Sequence, residues 1–322
     1  MSWRRRLKFG CLGIVLLVLF AGFVGFPYAM SRLITTAGTR PMDLALTSSP
    51  ADFDRPYEDV RFDSRDGVEL SGWYLEGTTP VGIVVAHGLF RSRREVLDRA
   101  VFLNRLGAHV LTFDFRRHGT SRGETISLGY HERMDVLGAA EFLQARVDDP
   151  RLFFYGVSMG AAASVLAGRE LSRSSSGIQL VGVIADSCFL SVEHTVSHHV
   201  RRIFRLPYFP FSSNLLFFLE WRASFDKDDF DLEGAIAEYG DLPVLILAGG
   251  DDWRMSPQLQ RRLFDASGHP KSRFEEFAGA GHGSAYREDS AGYERVLIEF
   301  LASLAPELSG STEEADSNRS SR

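Results

Sequence analysis

The sequence predicts an α/β fold: a mostly parallel, eight-stranded sheet with helices on both faces and a small helical cap. Three observations carry that reading. Short continuous apolar runs alternate with segments of helical periodicity, the pattern of strands covered on both sides. A turn signal near the start, Arg65-Asp66-Gly67, joins two strand candidates into an antiparallel hairpin at one edge. An aromatic-rich stretch from Phe189 to Tyr239 then breaks the alternation. It is too long for a bare loop in a compact domain and reads as a cap inserted between two strands, over about 189–240.

Composition sets outer limits. The 322 residues are 44% hydrophobic and 24% charged, with a formal net charge of −6, which excludes a wholly disordered, collagenous or coiled-coil chain. That balance demands no basic face, so nucleic acid is not an expected partner. Cys11 and Cys188 are the only cysteines, too few for a disulfide framework or a thiolate zinc site.

Taken in order, the chain opens with a basic segment, residues 1–8, containing Arg4, Arg5, Arg6 and Lys8. Phe9 to Phe26 follows as an uncharged run, expected to span roughly 27 Å as a helix and so to cross a membrane once. Pro27 is expected to end it. Behind the run only Arg32 and Arg40 are basic within reach, so the N-terminus is expected in the cytoplasm and the remaining chain on the other side. A cleaved signal peptide would need a shorter apolar core, and Ala29-Met30-Ser31 is a poor cleavage site. A buried helix of a soluble domain fits neither the basic flank nor the missing polar face. Residues 27–57, polar and irregular, read as a linker arm. A domain over 58–306 is expected next, and a disordered tail from Glu307 to Arg322.

Within the domain the strand candidates are 59–63, 68–75, 81–86, 109–113, 152–155, 180–185, 244–248 and 274–277. Helix candidates fall at 92–106, 131–147, 159–171, 256–267 and 290–304. In the second of these Val136, Ala140, Leu143 and Val147 form one apolar stripe.

Two segments match G-x-S-x-G. Gly156-Val157-Ser158-Met159-Gly160 follows the apolar strand Leu152-Phe153-Phe154-Tyr155 and leads into Ala161-Ala162-Ala163, a helix former. That context is the strand–sharp turn–helix of a nucleophile elbow, which exposes the Ser158 hydroxyl and aims the Met159 N–H at a reacting oxygen. Gly119-Thr120-Ser121-Arg122-Gly123 has neither flank, so Ser121 is read as a loop residue.

A serine hydroxyl needs a base, and the base an orienting acid. Strand 244–248 runs into Asp251 and Asp252, and Gly279-Ala280-Gly281-His282-Gly283 sets a histidine in a glycine-rich loop after the last strand candidate. His282 is the expected base, and either aspartate a candidate acid. The exit of strand 81–86, His87-Gly88-Leu89, offers the Leu89 N–H as a second oxyanion donor, with His87 ordering the loop. His194 and His198 share a helical face beside His199, but no Glu follows His194 in a zinc-protease arrangement and no third ligand is evident. Neither a metal nor a cofactor is expected.

These segments, with Asp66-Gly67-Val68, Leu70, Gly72-Trp73, Asp114-Phe115-Arg116-Arg117-His118-Gly119 and Asp186-Ser187, are together similar to the α/β-hydrolase superfamily over 58–304. The closer resemblance is to its serine aminopeptidase-like branch, which includes membrane-anchored lipid and acyl-protein hydrolases. The resemblance implies a serine hydrolase with Ser158, Asp252 and His282 as catalytic residues, the choice of Asp252 over Asp251 resting on family spacing. Arg117 stands where the family usually has glycine, placing an extra charge near the site. The resemblance is a poor guide to substrate within esters, thioesters and amides; the aromatic cap and the nearby bilayer favour a small-molecule or lipid acyl substrate. A serine aminopeptidase-like peptidase is the alternative within the fold, and a non-catalytic binding module the alternative outside enzymology.

Overall fold

The computed structural model describes residues 3–174 and 176–309. From residue 310 onward the expected tail lies outside them. Just before that point, Pro306–Ser309 forms a 3₁₀ turn and Leu308 is buried.

The N-terminal helix is longer than the sequence suggests. Helix α1 (Trp3–Phe20) passes through a π turn (Ala21–Gly25) into α2 (Phe26–Thr36), and a single turn, α3 (Pro41–Leu44), follows. Pro27 therefore does not end the helix, and the first third of the expected linker arm is helical. The reason lies in the backbone accounting. Proline cannot donate to the carbonyl four residues back and its ring crowds that turn. Here the turn widens to the π spacing, and the stranded carbonyl of Phe23 takes a hydrogen bond from the Asn214 side chain at 2.7 Å.

Eight strands form one sheet: β1 (Glu58–Asp63), β2 (Glu69–Leu75), β3 (Val81–Ala86), β4 (His109–Asp114), β5 (Arg151–Val157), β6 (Gln179–Asp186), β7 (Val244–Gly249) and β8 (Arg273–Phe277). Their spatial order is β1-β2-β4-β3-β5-β6-β7-β8. The β1–β2 hairpin and the β2–β4 pair are antiparallel, and every later neighbour is parallel. The hairpin turns at Gly67, whose φ of +83° suits glycine.

Alternate strand residues serve opposite cores. Val84, Leu111 and Phe154 face α5 (Glu132–Arg146), α6 (Met159–Ser172) and the cap, while Ile83, Val110 and Phe153 face the other core. That second core is closed by α4 (Leu97–Arg105) and α12 (Ser290–Leu304). Between β6 and β7 the cap comprises α7 (Val192–Phe204), α8 (Ser213–Ala223) and α9 (Leu232–Ala237). After β7 come α10 (Pro257–Asp265) and, following β8, the short α11 (Ala285–Glu288). Because β3 to β8 are parallel, the loops after β3, β5, β7 and β8 gather at one edge of the sheet, where ligands of open α/β sheets bind.

Candidate active site

Ser158 sits between β5 and α6 at φ +54°, ψ −112°, outside the comfortable regions for an L-residue. The tight packing around it holds that geometry. A Cβ on Gly156 would lie 2.2 Å from the Gly160 carbonyl carbon, and one on Gly160 2.5 Å from the Ala86 carbonyl oxygen. The Ser158 N–H is fixed on the Asp186 carbonyl at 2.8 Å.

The structure brings the three expected side chains together. The Ser158 hydroxyl lies 2.9 Å from His282 Nε2, and His282 Nδ1 lies 2.8 Å from Asp252 Oδ2. Asp252 is buried, and its other oxygen accepts the N–H groups of Arg254 at 2.9 Å and Met255 at 3.0 Å. Asp251 is exposed, so between the two aspartates only Asp252 meets the imidazole. The His282 loop is pinned on both sides. Gly283 N–H donates to Ser187 Oγ at 2.9 Å, Ser187 in turn donates to Asp186 at 2.9 Å, and the Arg99 guanidinium holds the Gly283 carbonyl at 3.1 Å.

Leu89 and Met159 line the same cavity as Ser158 and His282. Met159 begins α6, where the first N–H groups lack an intrahelical acceptor. The loop carrying Leu89 is braced by neighbours on either side of that residue. Gly88 N–H donates to Glu95 at 2.6 Å and Phe90 N–H to His118 Nε2 at 3.2 Å. His87, fully buried, donates to the Gly88 carbonyl at 2.7 Å and accepts the Phe115 N–H at 3.1 Å. Burial, and the neighbouring His118 after it, push the His87 pKa down to about 3, so this ring stays neutral and serves the loop. Glu95 is affected in the opposite sense: burial raises its carboxyl to about 7.

Sequence reasoning missed one part of this wall. The segment after α2 is stitched to the loop that carries Leu89. Arg40 N–H donates to the Phe90 carbonyl at 2.9 Å and Thr39 Oγ to the Arg91 carbonyl at 2.7 Å, while Asp43 pairs with Arg91 at 3.3 Å. The polar composition of 27–57 gave no sign of this, because the partners lie far along the chain.

Of two further expectations, Ser121 as a loop residue holds, and Arg117 as a charge near the site does not. Ser121 donates to the Asp114 carbonyl at 2.5 Å and accepts the Ser71 N–H at 2.9 Å, tying β4 to β2 away from the cavity. Arg117, expected to add charge near the site, instead turns its guanidinium onto the Thr36 carbonyl at 2.9 and 3.1 Å, capping the end of α2. Its φ of +66° accounts for the usual glycine there. The His194 and His198 rings stack 6.2 Å apart on α7, and His198 Nε2 bonds the Trp253 carbonyl at 2.9 Å. No group of three or more metal-ligating side chains occurs among the described residues.

The cavity above Ser158 measures about 930 Å³. One face of α7 (Val192, Thr195, His199, Ile203) and Phe189 form its largely apolar roof; Arg40, Arg91, Arg254 and Arg287 line it as well. A space of this size takes a drug-sized or single-chain lipid ligand.

Fold and site together define an esterase/lipase-like α/β hydrolase. The chain belongs to the alpha/beta hydrolase family, whose model matches residues 83–296. It is 30% identical over 307 residues to an uncharacterised protein of Mycobacterium tuberculosis, covering 94% of this chain and 96% of that one. It is 26% identical over 321 residues to the lysophosphatidylserine lipase ABHD12 of Macaca fascicularis, covering 92% of this chain and 76% of that protein. Among solved structures the Pyrococcus furiosus esterase Pf2001 shares the fold, with a TM-score of 0.66 at 23% identity over 83% of this chain and 98% of that one.

Proposed function

We propose that the protein is a membrane-anchored serine hydrolase that cleaves acyl esters, with lipid-like chains as its substrates. The observation that carries this reading is the hydrogen-bonded line from Ser158 through His282 to Asp252 at the mouth of an apolar-roofed cavity.

In this reading Ser158 Oγ attacks the acyl carbonyl while His282 Nε2 takes its proton. Asp252, buried and holding Nδ1–H, orients the ring and stabilises the imidazolium. The carbonyl oxygen, now an oxyanion, lies between the N–H groups of Leu89 and Met159. The C–O bond to the leaving alcohol breaks, and His282 returns its proton to that alcohol. Water then attacks the acyl-enzyme with His282 as base, releasing the carboxylic acid and restoring the serine. No step requires a metal or a cofactor.

Support for a lipid comes from three sides. The roof is largely apolar, the apolar run from Phe9 to Phe20 of α1 is exposed, and the relative ABHD12 is a lysophosphatidylserine lipase by name. Arg254 lines the cavity with no carboxylate partner among the described residues, a fit for an anionic head group.

A fluorophosphonate probe tests the mechanism. Labelling is expected for the wild type and for Ser121→Ala, and its absence for Ser158→Ala. No labelling of folded wild-type protein would instead support a binding module. Turnover of a chain-length series of esters beside aminoacyl amides tests the substrate. Preference for medium or long acyl chains is expected, and faster release of N-terminal amino acids would make the protein a peptidase.

A further inference from the structure

We propose that the aromatic face of the cap is a second membrane contact, seated in the interfacial zone of the bilayer that the Phe9–Phe26 run crosses. The inference rests on the reading of α1 as an anchor and adds a lipid-facing surface on the folded domain itself.

The cap grips the base of the rod. Phe211 packs edge-on against Phe23 at 5.5 Å, Phe204 against Phe26 at 5.3 Å and Phe218 against Tyr28 at 5.5 Å. Asn214 closes the Phe23 carbonyl. With a rise of about 1.5 Å per residue, Phe23 stands only about 5 Å inside the end of the uncharged run Phe9–Phe26. Any surface that touches it lies at the edge of the hydrocarbon that this run crosses.

Beside those contacts the cap leaves large rings uncovered. Phe209 is 75% exposed, Trp221 63% and Phe217 61%. Phe217 and Trp221 are one helical turn apart on α8, so they share a face, while Phe218 between them turns to the anchor. Arg201, Arg202 and Arg205 at the end of α7 are exposed and pair with no carboxylate among the described residues. Two cap carboxylates are already engaged: Glu193 accepts from Tyr208 and Glu220 from the Lys227 N–H. Exposed aromatic rings flanked by free guanidinium groups are the chemistry of the membrane interface, where rings enter the acyl boundary and arginines meet phosphates.

Continuity with the anchor selects the bilayer as occupant over a second copy of the chain. It also gives the cavity a route to lipid. The α7 face that roofs the cavity ends at Ile203, and the next residue packs on Phe26. Ile203 and Phe204 thus carry the apolar side of the cavity up to the anchor.

The test places an environment-sensitive nitrobenzoxadiazole label on the full-length chain in nanodiscs of phosphatidylcholine and phosphatidylglycerol with brominated acyl chains. Cys11→Ser removes the exposed thiol, and Cys188 is buried. Labels go on Phe217→Cys, on Leu16→Cys within the anchor, and on Gly268→Cys, an exposed loop position outside the cap. Bromine is expected to halve emission or more at 217 and 16 and leave 268 unchanged. Quenching at 16 but not 217 overturns the proposal and leaves the anchor standing. No quenching at 16 overturns both. Loss of emission at 217 that needs no bromine and grows with protein copies per disc assigns the face to a second copy and also overturns it. None of these readouts depends on hydrolysis, so they stand apart from the fate of the proposed chemistry.

Discussion

The main-chain N–H of Arg40 donates to the carbonyl oxygen of Phe90 at 2.9 Å, so the segment that leaves the anchor helix also shapes the loop beside the nucleophile. Thr39 doubles the connection. Its hydroxyl donates to the Arg91 carbonyl at 2.7 Å and accepts the Gly119 N–H at 2.7 Å. Thr39→Val keeps the shape and strands both partners, at a cost of about 1–3 kcal/mol. We expect slower fluorophosphonate labelling and about tenfold lower kcat/KM, since the Leu89 N–H loses its bracing. A soluble form beginning at residue 47 should show a larger loss than one beginning at residue 37. Equal activity of the two forms would mean that residues 37–46 serve only as a tether.

The aspartates after β7 make a clean pair. Asp252→Asn removes the charge that orients His282 and is expected to lower kcat by about 10³–10⁴. Asp251→Asn, at an exposed side chain, should change kcat less than about twofold, within the range of ordinary surface substitutions. Steady-state kinetics on a soluble ester decides it, and a large effect at Asp251 would reassign the acid.

Much of the fold is written in local pattern. Strands β3, β5 and β7 are continuous apolar runs because both faces are covered, and their edges fall within one or two residues of the expected positions. The elbow is equally local: a strand, two glycines around a serine, then an alanine-rich helix. What stays hidden depends on partners distant in the chain. Pro27 signals a helix end, and nothing near it says that Asn214, far along the sequence, satisfies the Phe23 carbonyl. Arg117 suggests a charge by the site because its neighbours are site-like, whereas its left-handed backbone swings the side chain to Thr36. Glu95 sits in an unremarkable Arg-Arg-Glu-Val run, and only the packed structure buries it against Gly88.

Elbow packing predicts a sharp contrast between two glycines. Gly156→Ala puts a methyl 2.2 Å from backbone of the facing helix, which has no flexible end to move aside. We expect more than about 3 kcal/mol of destabilisation, or no folded protein, by analogy with severe overpacking. Gly67→Ala has nothing within 4 Å of the added methyl, so only its φ of +83° is penalised, about 1 kcal/mol. Chemical denaturation of the two variants in detergent checks the ranking.

Glu95 and His87 brace the same loop and titrate against each other. The Glu95 carboxyl, ordinarily near 4.5, is raised by burial to about 7. Between those values the folded protein holds a proton that the unfolded chain releases, so this group's contribution to stability falls as pH rises. His87, ordinarily near 6.5, is lowered to about 3, mainly by burial. Over that window the unfolded chain holds the proton, and stability rises with pH. From about 4.5 to 6.5 the two slopes oppose each other. Glu95→Gln keeps an acceptor for the Gly88 N–H and removes one slope. The variant is expected to gain stability more steeply than the wild type between about pH 4.5 and 6.5, and to lose the decline toward 7. Denaturation midpoints measured from pH 4 to 8 give the comparison, and parallel curves for the two proteins would show that the Glu95 proton is not linked to folding.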